Sequence, residues 1–303
     1  REGHRDHIVN LVIQQAINAL SIGALYALLA LGLAIVFSVM GLVNFAHGEL
    51  ITITGFSMLG FEALGVPMAA LLPLGVLVST LAAVLMERVA FRPVRGAPGT
   101  TMLLTSFGVS IVIQNFVLLT VEPKPRAVDT PAWFRTRISV GSLTIQTLQI
   151  LTALATVVAL LILVLVLRRT TTGLAMRAAA ERFDVVRLMG IRADRVVTAA
   201  FAVSGFLAGI AAVFIISKRG AVDPFMGFIP VIKAFVATVL GGFGSLTGAV
   251  IGGLFLGVIE VTLDVYLGSS VEGFRDAFVF LVVGGLLVIR PQGLLGVRQR
   301  VTT

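Results

Sequence analysis

The chain contains no cysteine and only three histidines among its 303 residues. The absence of cysteine excludes disulfide bonds and thiolate ligands for a metal ion. Two of the histidines, His4 and His7, lie in a polar stretch near the first residue. The sequence therefore predicts neither a metal site nor a Cys/His catalytic site.

Charged residues are also scarce, at 13% of the chain, whereas hydrophobic residues make up 57%. A soluble domain carries about 25% charged residues, so we expect most of this surface to contact membrane lipid rather than water. The net charge is +8, but the basic residues collect in short loops between apolar runs. A nucleic-acid-binding surface would place them on one face beside aromatic residues. This distribution argues against nucleic acid as a partner.

Motifs of common enzyme classes are missing as well. The chain has no G-x-x-x-x-G-K-[ST] phosphate loop, no G-x-S-x-G and no H-E-x-x-H. We therefore expect that the chain is not an enzyme and that it binds no cofactor, ATP included.

Long apolar runs dominate the sequence instead. A membrane-spanning helix needs about 20 apolar residues, and most of the runs reach that length. They predict an all-α membrane helix bundle of about eight to ten transmembrane segments, in which residues 1–303 form a single transmembrane domain. The runs cover residues 8–46, 63–86, 96–121, 138–167, 196–217, 234–259 and 277–289.

Two of these runs are expected to break. Residues 8–46 are too many for one crossing, and we expect a break near Gly41. A break at residues 241–244 would divide the run 234–259 into two shorter helices that enter the membrane and return. Residues 50–61 are consistent with either a further span or a re-entrant segment.

The basic residues predict which helix ends face the cytoplasm, since cytoplasmic loops carry an excess of Lys and Arg. Arg88, Arg92 and Arg95 form one basic cluster, and the loop 168–195 contains several further arginines. Both are expected to be cytoplasmic. Residues 122–144 are then expected to form an external loop.

The predicted cytoplasmic loop contains a stretch rich in helix-forming residues, 174–189. Arg177 and Glu181 lie four residues apart on one face, and Gly190 suits the left-handed conformation that ends a helix. A short charged helix between two spans is suited to docking a cytosolic partner. A solvated helical loop without a partner is the alternative, and the spacing does not decide between them.

Ionisable residues also follow the first apolar run, in the segment 41–55. Asn44, His47 and Glu49 lie at the edge of apolar sequence, where such groups are costly and are often functional. They are candidates for a translocation pathway. The alternative is an interfacial turn in which the three side chains reach water or cap a helix.

A third feature is a glycine repeat in the segment 241–260. Gly244, Gly248 and Gly252 recur every four residues, a spacing that allows close approach of helix backbones in lipid. This pattern predicts helix packing. Nearby, Lys233, Glu260 and Asp264 are expected either to extend to a membrane interface or to pair within the bundle.

Several of these segments together resemble LivH-type permeases of branched-chain amino acid ABC importers. The resemblance extends over nearly the whole chain, and N-F-A-H-G-E with G-G-F-G-S-x-x-G-A-x-I-G-G is its most specific combination. Residues 122–149 show no such match. The similar segments are residues 17–50, 87–96, 177–191 and 227–260.

The resemblance implies a permease subunit in a bacterial inner membrane. Its implied partners are a second permease subunit, two cytosolic ATPase subunits that use ATP, and a periplasmic substrate-binding protein. The substrate class would be branched-chain or related amino acids. The implied coupling helix that contacts an ATPase contains Arg177, Glu181, Arg182, Asp184, Arg187 and Gly190.

Two other functions remain open at this point. A proton-coupled secondary transporter would use His47, Glu49 or Glu260, but it would need charged groups deep within the spans, and in the sequence these residues lie mostly at span edges. A passive channel or membrane scaffold would need no energy source. The sequence does not specify which amino acid or amide is carried.

Overall fold

A computed structural model of the chain describes residues 2–121, 124–141, 143–267 and 271–295. Helices account for most of these residues, and six of the helices are long and apolar enough to cross a membrane. The predicted all-α membrane bundle is therefore confirmed. The helices are α1 (Glu2–Met40), α2 (Glu49–Ala63), α3 (Met68–Met86), α4 (Gly99–Thr120), α5 (Thr147–Arg169), α6 (Thr171–Glu181), α7 (Phe183–Leu188), α8 (Ala193–Arg219), α9 (Phe228–Gly241), α10 (Leu246–Tyr266) and α11 (Arg275–Ile289).

The two predicted breaks are present. Helix α1 ends at Met40, and Gly41 follows with φ of 66°. Helix α9 ends at Gly241, and the turn before α10 contains Gly242 and Gly244 at φ of 107° and 82°. Positive φ values favour glycine because it has no Cβ. These residues therefore end each helix where the sequence predicts it.

Helix α1 lies at the centre of the bundle and packs against α5, α8, α9 and α10. Its residues 24–36 are almost all buried, and Leu28, Leu29 and Leu33 are completely so. A helix that is apolar all round is expected to be enclosed by other helices. Helix α4, in contrast, exposes apolar side chains such as Leu104 and Leu119, which are suited to contact with lipid.

Small strands are present at one end of the bundle. Strand β1 (Arg126–Ala127) pairs with β4 (Ala221–Val222), and β2 (Arg137–Val140) forms a hairpin with β3 (Leu143–Gln146). Parts of the predicted external loop thus contribute to these two sheets. We call this the strand end.

The other end of the bundle is basic. Helices α4, α5 and α8 each have one terminus at the strand end and the other near the arginines of the loop after α3 or of the segment α6–α7. We call this second end the arginine-rich end. The chain is thus a multi-pass membrane protein with two ends of different structure.

Candidate functional site

The ionisable segment after α1 lies inside the bundle. The chain leaves α1, forms a short 3₁₀ helix at Phe45–Gly48 and enters α2. As a result, Asn44 is 2% exposed, and His47 and Glu49 are each 1% exposed. The interpretation as an interfacial turn with these side chains in water is wrong, because α1, α4, α8 and α9 enclose the segment.

Glu49 is held by two polar residues of α4. Its Oε1 accepts hydrogen bonds from Ser110 Oγ and from Gln114 Nε2, each at 2.7 Å. Sequence reasoning did not identify these partners. The sequence contains a pattern that could have identified them, since Ser110 and Gln114 lie four residues apart on one face of an otherwise apolar helix. These two hydrogen bonds hold the first residue of α2 against the middle of α4.

His47 lies between α1 and α8. Its Nδ1 is 3.1 Å from the Oγ of Ser204 on α8. On the other side is Gly32 of α1, where an added Cβ would lie only 2.9 Å from His47 Cε1. Gly32 therefore makes room for the imidazole ring. Asn44 contacts α3 more weakly, with its Nδ2 at 3.9 Å from Met86 Sδ.

A second buried polar cluster joins α1, α9, α10 and α11. Lys233 Nζ lies 3.0 Å from Glu260 Oε2 and 2.8 Å from Asp276 Oδ1. Tyr26 OH donates a hydrogen bond of 2.6 Å to the same Glu260 oxygen. Lys233 and Glu260 thus pair within the bundle. Asp264, instead, accepts hydrogen bonds from Arg275 at 2.9 and 3.2 Å.

The burial of these groups corrects one expectation from sequence. His47, Glu49, Lys233 and Glu260 are each at most 4% exposed, although the sequence places ionisable residues mostly at span edges. His47 and Glu49 are buried because the chain turns back into the bundle after α1. Lys233 and Glu260 are buried because α9 and α10 pack against each other and against α1. Among the described residues, no group of three His, Asp or Glu side chains is arranged to hold a metal ion.

At the arginine-rich end, the predicted single helix 174–189 is divided in two. Arg182, at φ of −149° and ψ of 87°, leaves the helical conformation between α6 and α7. Gly190 then has φ of 76°, which agrees with the predicted end of the helix. Helix α6 packs on α1, α5 and α8, with Met176 and Ala179 buried.

Charged residues of this segment are exposed. Arg177, Glu181 and Arg182 are exposed, and Gly190 is exposed beside them. The side chains of Asp184 and Arg187 lie outside the described part of the structure. The three described side chains are therefore available to a partner.

A charged network anchors the bundle next to α6–α7. Glu87, at the end of α3, is 0% exposed; it pairs with Arg95 and accepts a hydrogen bond of 2.8 Å from Thr198 on α8. Arg95 also pairs with Asp194, and Arg92 lies 3.0 Å from the same carboxylate. Sequence reasoning did not predict this network, which ties α3 to the first turns of α8.

The glycine repeat makes the turn between α9 and α10 possible. A Cβ on Gly248 would collide with the carbonyl of Gly241, and one on Gly252 would collide with the carbonyl of Ala237. The backbones of the two helices are thus in direct contact at these glycines. Gly244 does not belong to this contact, because it lies in the turn with no atom within 4 Å of an added Cβ.

Known proteins are similar to the chain over most of its length. The family described as "Branched-chain amino acid transport system / permease component" matches residues 15–290. The high-affinity branched-chain amino acid transport system permease protein BraD of Pseudomonas aeruginosa is 36% identical over 298 residues, which cover 94% of this chain and 95% of that protein.

Two further relatives extend the comparison. The high-affinity branched-chain amino acid transport system permease protein LivH of Escherichia coli K12 is 34% identical, with the same 94% and 95% coverage. A probable branched-chain amino acid transport permease protein LivH of Methanocaldococcus jannaschii is 26% identical over 90% of this chain and 89% of its own length. No solved structure matches the chain.

Proposed function

This chain belongs to the family of permease components of branched-chain amino acid transport systems, and from that premise we propose that it is a permease subunit of an ATP-driven importer. It would carry branched-chain or related amino acids through the bacterial inner membrane into the cytoplasm. The coverage of whole relatives supports this proposal, because the similarity is not confined to one motif.

The importer requires partners. The chain has no phosphate-loop motif in its 303 residues, so ATP would be used by two cytosolic ATPase subunits. A second permease subunit would complete the pathway, and a periplasmic substrate-binding protein would deliver the amino acid. In this proposal, ATP binds to the ATPase subunits of the complex.

The observation that carries the proposal is the position of α6–α7. This segment connects α5 to α8, and its residues Arg177, Glu181 and Arg182 are exposed. Exposed charged side chains suit a contact with a cytosolic ATPase. We infer that α6–α7 is the coupling element, with Asp184, Arg187 and Gly190 as further members.

The contacts beyond this segment provide a route for movement. Helix α8, which follows α7, is tied to α3 through Asp194, Arg95 and Glu87. Further along, α8 contacts the buried segment through Ser204 and His47. A displacement of α6–α7 would therefore be transmitted to α3 and to the interior segment by rigid helices. Such tilting of packed helices would alternate access to the pathway.

Reconstitution tests this proposal. The permease would be purified with its partner permease and ATPases, placed in lipid vesicles, and supplied with binding protein and radiolabelled L-leucine. We expect uptake only when ATP is present on the ATPase side and binding protein on the other. Equilibration of leucine without ATP would indicate a passive channel and contradict the proposal.

A proton-coupled secondary transporter is the second candidate, because Glu49, His47 and Glu260 are buried where a proton relay would need them. That function predicts uptake driven by a pH gradient and abolished by a proton uncoupler. ATP-driven uptake that is insensitive to the uncoupler would contradict it. The same vesicles therefore separate the two candidates.

A further inference from the structure

A polar cavity opens at the strand end of the bundle. It has a volume of about 530 Å³ and lies between α1, α5, α8 and α10, within the range of about 300–1,000 Å³ found for small-molecule sites. Polar and apolar side chains line it together. The polar ones include Gln15, Asn18, Gln149, Lys218 and Asp264. We call it the strand-end cavity.

Lys218 adds a positive charge to the wall of the cavity. Among the residues that the structure describes, Lys218 forms no ion pair. The neighbouring cations are paired: Arg219 lies 2.9 Å from Asp223, and Lys233 lies 3.0 Å from Glu260. The residue is exposed and lines the cavity, so its ammonium group is accessible to an anion and can form a charge-assisted hydrogen bond with it. Lys218 is therefore suited to bind a carboxylate.

Asp264 supplies the opposite charge in the same cavity. Arg275 donates to both of its oxygens, at 2.9 and 3.2 Å, and the side chain remains 37% exposed. A carboxylate offers about four acceptor positions, so Asp264 retains capacity for a further donor. The cavity thus presents a cation on α8 and a carboxylate on α10.

Amide side chains hold the opposite wall in place. Asn18 of α1 accepts a hydrogen bond of 2.8 Å from Gln149 of α5 and donates one of 3.0 Å to Gln15. Polar groups inside apolar helices are costly unless they are paired. These bonds satisfy part of that requirement and fix the orientation of the amides toward the cavity.

We propose that the strand-end cavity is a binding site for a free apolar amino acid on the permease itself. The carboxylate of the amino acid would bind Lys218, and its ammonium group would bind Asp264. Its aliphatic side chain would contact the apolar lining residues Leu25, Phe214 and Val261. This inference rests on the proposed function and deepens it, because it places part of the substrate recognition in this chain.

The test uses photo-leucine, a leucine carrying a photoreactive diazirine. The purified permease complex in lipid nanodiscs would be irradiated with photo-leucine, without binding protein, and labelled peptides identified by mass spectrometry. We expect labelling of the parts of α1, α5, α8 or α10 that line the cavity, and its loss when unlabelled L-leucine is added. Labelling elsewhere, or labelling that leucine does not displace, would overturn the proposal.

Variants of adjacent residues provide matched controls. Lys218→Met should reduce specific labelling about tenfold, the loss expected for one charged hydrogen bond, and Lys218→Arg should restore part of it. Arg219→Met removes the same charge one residue further on, but Arg219 pairs with Asp223 outside the cavity. It should leave labelling unchanged. Equal losses in Lys218→Met and Arg219→Met would contradict the proposal.

Measuring leucine uptake by the complete wild-type transporter distinguishes a failure of the cavity proposal from a failure of the proposed function. Uptake without specific labelling of the cavity contradicts the site alone. Absence of uptake contradicts the proposed function and, with it, the site.

A zwitterionic lipid headgroup shares the chemistry of an amino acid, so labelling is repeated with and without phosphatidylethanolamine. Leucine-sensitive labelling in both membranes supports the amino acid, whereas blocking by that lipid contradicts it.

Discussion

The ammonium group of Lys233 lies 3.0 Å from a carboxylate oxygen of Glu260, and each side chain is only 5% exposed. The pair joins α9 to α10, the two helices that the glycine-rich turn connects. Tyr26 of α1 donates to the same oxygen, so three helices meet at one ion pair.

Replacement of Lys233 by Met should destabilise the protein, because Glu260 then remains buried without its main counterion. Loss of one member of a buried ion pair costs about 3–5 kcal/mol. The double variant Lys233→Met with Glu260→Gln should lose less than the sum of the two single variants. Thermal unfolding in detergent measures this. Additive losses would show that the two side chains do not interact.

A single methyl group at Gly252 should disturb the contact between α9 and α10. A Cβ there would collide with the carbonyl of Ala237, and overpacking typically costs about 1–3 kcal/mol. Gly252→Ala should therefore lower the unfolding temperature. Gly284→Ala is the matched control, because no atom lies within 4 Å of a Cβ at that position. An equal effect of both changes would refute the contact.

The coupling role of α6–α7 predicts a separation of folding from transport. Glu181 and Arg182 are exposed, so replacing both with Ala should change stability by less than about 0.5 kcal/mol. Uptake of leucine by the complete transporter should fall strongly, and the ATPases should copurify less. Lys124→Ala, exposed at the strand end, serves as the control. Normal uptake and copurification in the double variant would count against coupling.

Glu49 allows the two transport mechanisms to be distinguished. Glu49→Ala leaves the Ser110 and Gln114 donors without their acceptor, at a cost of about 1–3 kcal/mol. Glu49→Gln keeps an acceptor oxygen but removes the charge, so under the importer proposal it should retain more uptake than Glu49→Ala. Uptake that is lost equally in both variants, with a stable Gln variant, would favour proton coupling.

How much of this structure follows from sequence depends on how local each feature is. Composition predicts the membrane environment, because a chain with 13% charged residues cannot cover its surface with polar groups. The breaks at Gly41 and before Gly244 and the helix end at Gly190 are also predictable. Each depends on a backbone conformation that glycine adopts at low cost.

The candidate sites are less predictable, since their partners are distant in the chain. Glu49 and Ser110 are 61 residues apart, and Tyr26 and Glu260 are 234 residues apart. The division of the segment 174–189 at Arg182 was likewise not predicted. Helix propensity favours one continuous helix there. In the structure the segment forms two helices, and Phe183 and Val186 pack against the bundle.

The sequence by itself thus determined that this protein is a membrane helix bundle, where several of its helices end, and which family it resembles. Only the tertiary structure decided that Lys233 meets Glu260, that Glu49 meets α4, and that Lys218 and Asp264 share a cavity. The physical reason is that helices such as α1 are apolar all round. Their periodicity marks no distinct face, so the choice of neighbours depends on the packing of the whole bundle.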